Sequence, residues 1–168
     1  MHRPSPAIGA GLVLAREPYA SEGPQCVVAQ AEAEIVVRYG FLHDGERGLT
    51  AAMFDPPAGA FLVARAGAAG PPLGGVGLRT IDSASKPGLG EVRRLWVHPD
   101  QRGQGIAREL MLALEDTGRD LGLTRLRLVT GGRQPEAVAL YESSGWQPVD
   151  GDPAKVGFRF TKELVSTQ

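Results

Sequence analysis

The residues of this sequence best placed to do chemistry form a short glycine-rich turn ahead of a helix. After Val97 the chain continues His-Pro-Asp-Gln-Arg-Gly-Gln-Gly-Ile-Ala, which places Gly103 and Gly105 at the start of an amphipathic segment. Glycine lets a backbone approach a ligand closely, and the first N–H groups of a helix have no partner inside the helix. Such a turn favours an anion, above all a diphosphate, with Arg102 as an added mobile cation.

Two further interpretations start from the same turn. The two glycines can simply shape the backbone, because short glycine patterns often arise by chance. Binding of a nucleotide such as ATP at Gly105 also stays open at this point. The turn is not a Walker phosphate loop, since no Gly-Lys-Ser/Thr follows, and it lacks the third glycine of a dinucleotide-binding fingerprint.

Composition excludes several classes of function. The chain has 168 residues, and we expect residues 1–10 to form a flexible tail and residues 11–168 a single domain. With 18 basic and 19 acidic residues it lacks the positive excess of a general nucleic-acid binder. One cysteine, Cys26, and three histidines predict neither a disulfide scaffold nor a metal site. No stretch reaches the roughly 20 apolar residues of a membrane span, and no secretory signal is evident, so we expect a cytoplasmic protein.

Hydrophobic patterns predict the strands that position this turn. Residues 41–60 lack sustained periodicity and are expected to form a long loop or short helical turns. Strands are expected over residues 11–16, 61–65, 73–81, 90–97, 126–130 and 156–160.

Helical spacing predicts three helices. Residues 22–39 form one that ends at Gly40, and another begins near Pro135. The clearest amphipathic helix follows Gly105. One side is expected to carry Ile106, Leu110, Met111, Leu114, Gly118 and Leu121, and the polar side Arg108, Glu109, Glu115, Asp116 and Arg119.

The order of these elements predicts an α/β (α+β) fold. Runs of adjacent strands imply antiparallel pairing, whereas the strand-helix-strand unit around residues 90–130 implies one parallel crossover. We therefore expect a mixed, mostly antiparallel central sheet flanked by helices on both faces.

Three segments between residues 90 and 146 form an ordered set. Residues 91–99 read Glu-Val-Arg-Arg-Leu-Trp-Val-His-Pro, residues 102–107 read Arg-Gly-Gln-Gly-Ile-Ala, and residues 137–146 read Ala-Val-Ala-Leu-Tyr-Glu-Ser-Ser-Gly-Trp. Together they resemble the GNAT N-acetyltransferases, most of all small stand-alone bacterial members. The first is similar to that family's fourth strand, the second to its acyl-CoA pyrophosphate loop, and the third to the helix ending in its Tyr-x-x-x-Gly-aromatic signature. The resemblance weakens over residues 1–60, where such enzymes usually bind the acceptor.

The resemblance implies acetyl-CoA as the acyl donor and an acyl-CoA N-acyltransferase fold of GNAT type. Main-chain groups of Leu95, Trp96 and Val97 are expected to bind the pantetheine arm like an added strand. Gln134 departs from the family, since many members carry Asn there, and is expected to reshape a cofactor contact. The implied cofactor-binding residues are Leu95, Trp96, Val97, Arg102, Gly103, Gln104, Gly105, Ile106, Ala107 and Gln134.

The resemblance also implies direct attack by a primary amine in a ternary complex. The N–H of Val97 is expected to steady the oxyanion, the Tyr141 hydroxyl to protonate the departing thiolate, and Glu91 to take the amine's proton directly or through water. Tyr141 can instead be a helical tyrosine packed for its ring. The alternative for Glu91 is an ion pair with Arg93, Arg94 or Arg125.

Other reactive side chains receive plainer interpretations. His98 precedes Pro99 and is interpreted as a loop residue, although histidine titrates near neutrality. Cys26 is interpreted as buried and inert. Acidic residues are concentrated in the first third of the chain, which slightly favours a cationic acceptor, whereas solvated helix surfaces are acidic equally often. These residues are Glu17, Glu22, Glu32, Glu34, Asp44 and Glu46.

The function predicted is therefore N-acetyl transfer from acetyl-CoA to a primary amine of a small molecule or peptide. The alternative is of another class: an acyl-CoA-binding sensor or accessory module that has lost turnover. The presence of both Tyr141 and Glu91 favours the enzyme. In this family, strands such as residues 156–160 commonly pair between subunits, which makes a homodimer plausible.

Overall fold

The structure, a computed structural model, describes residues 11–42, 48–81, 83–131, 134–149 and 156–165, with backbone alone at residue 131 and residues 156–158. The tail expected over residues 1–10 lies outside these ranges, and the single domain over residues 11–168 stays a prediction. None of the helices in the described ranges is long and apolar enough to cross a membrane.

The elements follow the predicted order, with boundaries shifted by a few residues. Residues 41–60, expected as a loop or helical turns, include one short helix and the start of a strand. In chain order the described elements are β1 (Leu12–Arg16), α1 (Glu22–Tyr39), α2 (Ala51–Phe54), β2 (Gly59–Ala66), β3 (Pro72–Thr80), β4 (Leu89–Val97), α3 (Ile106–Asp120), β5 (Arg125–Gly131), α4 (Pro135–Ser143), β6 (Gln147–Pro148) and β7 (Val156–Glu163).

The strands form one sheet in the order β1-β2-β3-β4-β5-β7-β6. Neighbouring strands pair antiparallel except β4 and β5, which are parallel and joined through α3. The mixed, mostly antiparallel sheet and its single parallel crossover are confirmed. Within the chain β7 lies between β5 and β6, and β6 pairs with it only at Phe160 and Thr161. The homodimer through this strand stays a prediction.

Alternation along β2 explains why helices cover both faces of the sheet. Phe61 and Val63 belong to a core cluster with residues of α1 and α2, whereas Leu62 and Ala64 belong to a second cluster with residues of α3 and α4. Successive side chains of a strand point to opposite faces, so the apolar run from Ala60 to Ala64 needs cover on both. The predicted helices on both faces are confirmed.

Glycines in β3 let α1 and α2 lie close to the sheet. A Cβ atom at Gly75 would lie 3.0 Å from a methyl carbon of Val27 on α1, and one at Gly77 would lie 2.8 Å from the ring of Phe54 on α2. Any larger residue at either position would push a helix away. These contacts set the height of α1 above the sheet, and α1 forms one wall of the site described below.

The polar side expected for α3 is wrong at one residue. Glu115 is buried, with 4% of its surface exposed, and its carboxylate lies 2.5 Å from the Lys162 ammonium on β7. Helical spacing alone cannot reveal this partner, because β7 reaches α3 only through the tertiary fold.

Candidate active site

A cleft opens where two parallel strands stop pairing. β4 and β5 are paired over three rows only, the last of which joins Glu91 to Arg127. Both strands continue beyond that row, and the space between them is a cleft of about 270 Å³ walled by α1, β4, β5 and the start of α4. The separation leaves main-chain groups of β4 without a neighbouring strand on that side.

A bulge in β4 follows the last paired row. Trp96 pairs with Gly75 and Arg93 with Gly77, so that Arg94 and Leu95 together lie opposite Val76. Arg94 has a φ of 57°, in the left-handed region that a residue with a side chain seldom adopts. A bulge bends its strand and increases its twist, which accounts for the divergence of β4 from β5. It also explains the imperfect alternation of this segment in the sequence.

The main chain of Val97 faces the mouth of the cleft. The N–H of His98 donates to the carbonyl of Leu73 on β3 at 2.8 Å, so the peptide groups of the preceding residue point to the other edge of β4. Arg102 Nε donates to the Val97 carbonyl at 2.9 Å from that side. The predicted oxyanion donor, Val97 N–H, therefore lies on the open edge of β4.

The two residues before Val97 contribute in different ways. Leu95 lies in the bulge and lines the cleft. Trp96 pairs with Gly75, so its main chain faces β3 rather than the cleft, and its buried indole forms part of the cleft wall. A main-chain contact to an extended ligand is thus favoured at Leu95 and Val97, while Trp96 shapes the wall.

The glycine turn ends at an open helix mouth. Gly103 and Gly105 have φ values of 77° and 86°, and Gly105 caps α3 with no side-chain hydrogen bond to its first N–H groups. A Cβ atom at either glycine would meet nothing within 4 Å. Gln104 stands between them, and the buried Ile106 fixes α3 to the core, with Ala107 next. Free amide groups in a cradle without side chains fit a diphosphate.

Arg102 is tied into a chain of ion pairs across the mouth of the cleft. Besides the Val97 carbonyl it contacts Glu34 on α1, and Arg38 of α1 contacts both Glu34, at 3.9 Å, and Glu136 on α4, at 2.6 Å. Burial raises the pKa of Glu136, but hydrogen bonds from its own backbone N–H and from Arg38 outweigh it and lower the pKa below its ordinary value. The mobile cation expected at Arg102 is instead held in place.

Tyr141 lies in the wall of the cleft on α4. Its side chain is buried, and its ring packs against Trp146 at 6.0 Å and Phe160 at 5.5 Å between centroids. Burial raises the pKa of the phenol well above its ordinary value of 10.0, so the hydroxyl keeps its proton. The sequence left two interpretations of Tyr141 open, a packed ring and a catalytic hydroxyl. The ring is packed in the core, and the same residue also lines the cleft.

Sequence reasoning missed Tyr39 as a residue of the cleft. Its hydroxyl oxygen accepts a hydrogen bond from Gln134 Nε2 at 3.5 Å, which links the end of α1 to the start of α4. Ala31, Ile35 and Tyr39 recur at helical spacing, and all three line the cleft. This spacing is a signal that could have identified the three residues, but it is equally typical of a helix face packed on a core.

Glu91 is the most heavily paired acid of the cleft, with 4% of its surface exposed. Its Oε1 accepts hydrogen bonds from Arg79 Nε at 3.1 Å and from Arg93 at 3.2 Å, and its Oε2 accepts one from Arg127 Nε at 3.1 Å. Arg79, Glu91 and Arg127 stand in one row across β3, β4 and β5. Of the ion pairs weighed as an alternative, the one with Arg93 is present, and the base role stays a prediction.

The remaining side chains singled out in the sequence lie outside the chemistry. His98 Nδ1 accepts a hydrogen bond from the Asp100 N–H at 3.1 Å, as a loop residue capping a short turn. Cys26 is half-buried rather than buried. No group of three or more His, Cys, Asp or Glu side chains placed to hold a metal ion occurs in the described part of the chain.

The acidic residues of the first third are largely paired with arginines. Glu17 contacts Arg65 at 2.8 Å and Glu32 contacts Arg94 at 3.2 Å, in addition to the Glu34 pairs above. Asp44 and Glu46 lie outside the described residues. Because these carboxylates are neutralised in pairs, the acidic segment gives little support to a cationic acceptor.

Comparison with known proteins identifies the family. The profile of the acetyltransferase (GNAT) family matches residues 20–146, more than two thirds of the chain. The chain belongs to this family. Family members use an acyl-CoA donor. The match begins at residue 20, well before the three segments within residues 90–146 that resemble the GNAT enzymes. It includes α1, which forms a wall of the cleft.

Individual relatives agree with this assignment. The chain is 41% identical over 71 residues to an IAA acetyltransferase of Azospirillum brasilense, covering 42% of this chain and 46% of that protein. It is 36% identical over 107 residues to N-acetyltransferase 8 of Rattus norvegicus, covering 63% of this chain and 47% of that protein. The chain therefore matches about half the length of these curated relatives.

Solved GNAT structures share the fold. An acetyltransferase of the GNAT family from Staphylococcus aureus superposes with a TM-score of 0.71 at 13% identity, over 92% of this chain and 99% of that one. An IAA acetyltransferase from Bacillus cereus superposes with a TM-score of 0.66 at 18% identity, over 91% and 99%. At this identity the likeness establishes the architecture.

Substitution of one glycine tests the helix mouth as the diphosphate site. Gly105→Ala places a methyl group among the free amides and should raise the Kd for CoA about tenfold, roughly 1.4 kcal/mol, in calorimetry. Gly122→Ala is the matched control, because Gly122 also has a positive φ, 79°, and open space around a Cβ, but lies at the far end of α3. Both should lose similar thermal stability. Equal CoA affinity in the two variants would contradict the site.

Proposed function

We propose that this GNAT family member transfers the acetyl group of acetyl-CoA to a primary amine of a small molecule or peptide. The observation that carries the proposal is the separation of β4 from β5. It gives an acyl-CoA an unpaired strand edge that leads from the open mouth of α3 into a cleft with Tyr141 in its wall. Acetyl-CoA would supply an electrophilic thioester carbon and a thiolate leaving group.

Main-chain groups hold the donor in this proposal. The N–H groups at Gly103, Gly105 and the first turn of α3 bind the diphosphate, aided by the positive end of the helix dipole. The pantetheine arm lies along the free edge of β4, where the peptide groups of Leu95 and Val97 take the place of a neighbouring strand. Gln134, at the start of α4, lines the wall of the cleft that α4 forms.

The acyl transfer requires a bond to form between the amine nitrogen and the acyl carbon while the carbon–sulfur bond breaks. The N–H of Val97 donates to the acyl oxygen as negative charge develops there, a contribution that elsewhere is worth about 10²–10³ in rate. The electron pair of the broken bond leaves on sulfur, to which Tyr141 donates its proton. The proton lost by the amine passes to Glu91, directly or through water.

Thiol release tests the function as a whole. Incubation of acetyl-CoA with the chain and a panel of primary amines should release free CoA at a rate that depends on the amine, measured with a thiol reagent. Tight acetyl-CoA binding without release on any amine would instead support a sensor or accessory module. Absence of binding would contradict both.

Replacement of Tyr141 by Phe tests the proton donor. The variant should lower kcat about 100-fold or more, because general acid catalysis typically contributes 10²–10⁴, while the KM for acetyl-CoA stays within about twofold. Since burial raises the pKa of this phenol, the kcat ratio of wild type to variant should stay constant as pH rises from neutrality to the ordinary tyrosine value of 10.0. Tyr19→Phe, a buried tyrosine in the α1 and α2 cluster, is the control and should keep its kcat. Unchanged turnover in Tyr141→Phe would remove the residue from the mechanism.

Glu91→Gln separates a base from a purely structural ion pair. The variant should lose thermal stability, because its arginines lose their counter-charge, and kcat should fall. Acceptors whose amine is already neutral at the assay pH need no proton removed before attack, so their rates should fall less than those of charged amines. Glu17→Gln, which breaks an ion pair with Arg65 away from the cleft, should alter stability alone. An equal loss of rate for neutral and charged amines would show that Glu91 acts only through structure.

A further inference from the structure

Two helices that lie on opposite faces of the sheet contact each other through the cleft. α1 packs in one core cluster and α4 in the other, so a continuous sheet would keep the two helices apart. Arg38 of α1 nevertheless pairs with Glu136 of α4 at 2.6 Å, and Gln134 donates to the Tyr39 hydroxyl at 3.5 Å. Arg38, Tyr39 and Gln134 all line the cleft. These side chains therefore meet in the gap between β4 and β5.

The contacts form a line across the wide end of this gap. At the end of β4, Arg102 donates to the Val97 carbonyl and also contacts Glu34 on α1. Glu34 contacts Arg38, and Arg38 contacts Glu136 in the first turn of α4, which follows the end of β5 after three residues. The line thus runs from the end of one separated strand to the end of the other.

An acyl-CoA that binds as proposed has to cross this line. Its diphosphate lies at the mouth of α3 and its thioester lies beside Tyr141, so the arm that joins them passes Val97 on the free edge of β4. The Val97 carbonyl already accepts a hydrogen bond from Arg102 Nε at 2.9 Å. Arg38 and Gln134 stand farther along the same gap, against α4. The arm and these side chains compete for one space.

The bridge between the helices is weak enough for a ligand to open it. The side chains of Arg38 and Glu136 are 25% and 55% exposed, so water screens their attraction. An exposed ion pair of this kind changes an equilibrium constant by up to about fivefold. Glu91, by contrast, is 5% exposed and tied to arginines of three strands, so the closed end of the gap stays fixed while the wide end can open.

We infer that the Arg38–Glu136 ion pair is a latch that closes the gap between β4 and β5 and must open before acyl-CoA can enter. This inference rests on the proposed function, because it takes acyl-CoA as the ligand of the cleft. A latch lowers the fraction of molecules that can bind but makes no contact with the bound ligand. Its removal should therefore strengthen binding, whereas removal of a ligand contact weakens binding.

Glu136→Gln tests the latch through the rates of CoA binding, measured by surface plasmon resonance. The variant should raise kon about fivefold and lower Kd by the same factor, with koff unchanged, because more molecules are open to the ligand. Glu142→Gln is the matched control. It removes the same charge from an exposed position at the other end of α4, and it should leave kon close to that of wild type.

Arg38→Gln removes the other partner of the latch and should give the same gain. The double variant should gain no more than either single variant, since the two residues act through one contact. Equal kon in Glu136→Gln and Glu142→Gln would overturn the inference and leave the proposed function standing. Weaker CoA binding in both latch variants would also overturn it, because the pair would then support the site. Absence of CoA binding in wild type would overturn the proposed function as well.

Discussion

The end of pairing between β4 and β5 is the constraint on which the rest of the structure depends. Parallel strands that stay paired leave no room between them, and here pairing stops after the row of Glu91 and Arg127. Two features fix that point: the arginines on both sides of Glu91 tie three strands together, and the bulge at Arg94 turns β4 away immediately afterwards. The cleft and its open strand edge follow from this divergence.

Charge in this molecule is organised as pairs that join elements distant in sequence. Glu17 with Arg65, Glu32 with Arg94 and Glu115 with Lys162 each connect a helix or loop to a strand. Exposed pairs of this kind add little stability, but a half-buried pair fixes geometry, because removing one partner leaves an uncompensated charge. An overall charge close to neutrality thus conceals a buried carboxylate, Glu91, that is surrounded by three arginines.

Local patterns in the sequence were enough to predict most of the architecture. The spacing of α1 and α3, the glycine at position 40 and the apolar runs of β2 and β3 are properties of short segments, and the order of elements implied the parallel crossover. The residues of the glycine turn were also identifiable, since Gly103 and Gly105 need positive φ and a bare backbone. None of this requires knowledge of which strand lies beside which.

Cross-strand neighbours were the part that the sequence could not supply. Arg79 and Arg127 became partners of Glu91 only through the registers of three strands, and Lys162 reached Glu115 only because β7 lies beside β5. Tyr39 was not singled out, because helical spacing does not say whether a neighbouring surface is packed or open. These residues therefore had to be read from the tertiary structure.

The ion pairs at the mouth of the cleft join the glycine turn to α1. Arg102 shares Glu34 with Arg38, so a diphosphate that draws Arg102 away leaves Glu34 and Arg38 to rearrange on α1, the helix whose inner stripe faces the cleft. If binding of the diphosphate changed the affinity for the acceptor through these pairs, binding of the acceptor would change the affinity for the diphosphate by the same factor. A bound diphosphate and Glu34 would compete for the guanidinium of Arg102.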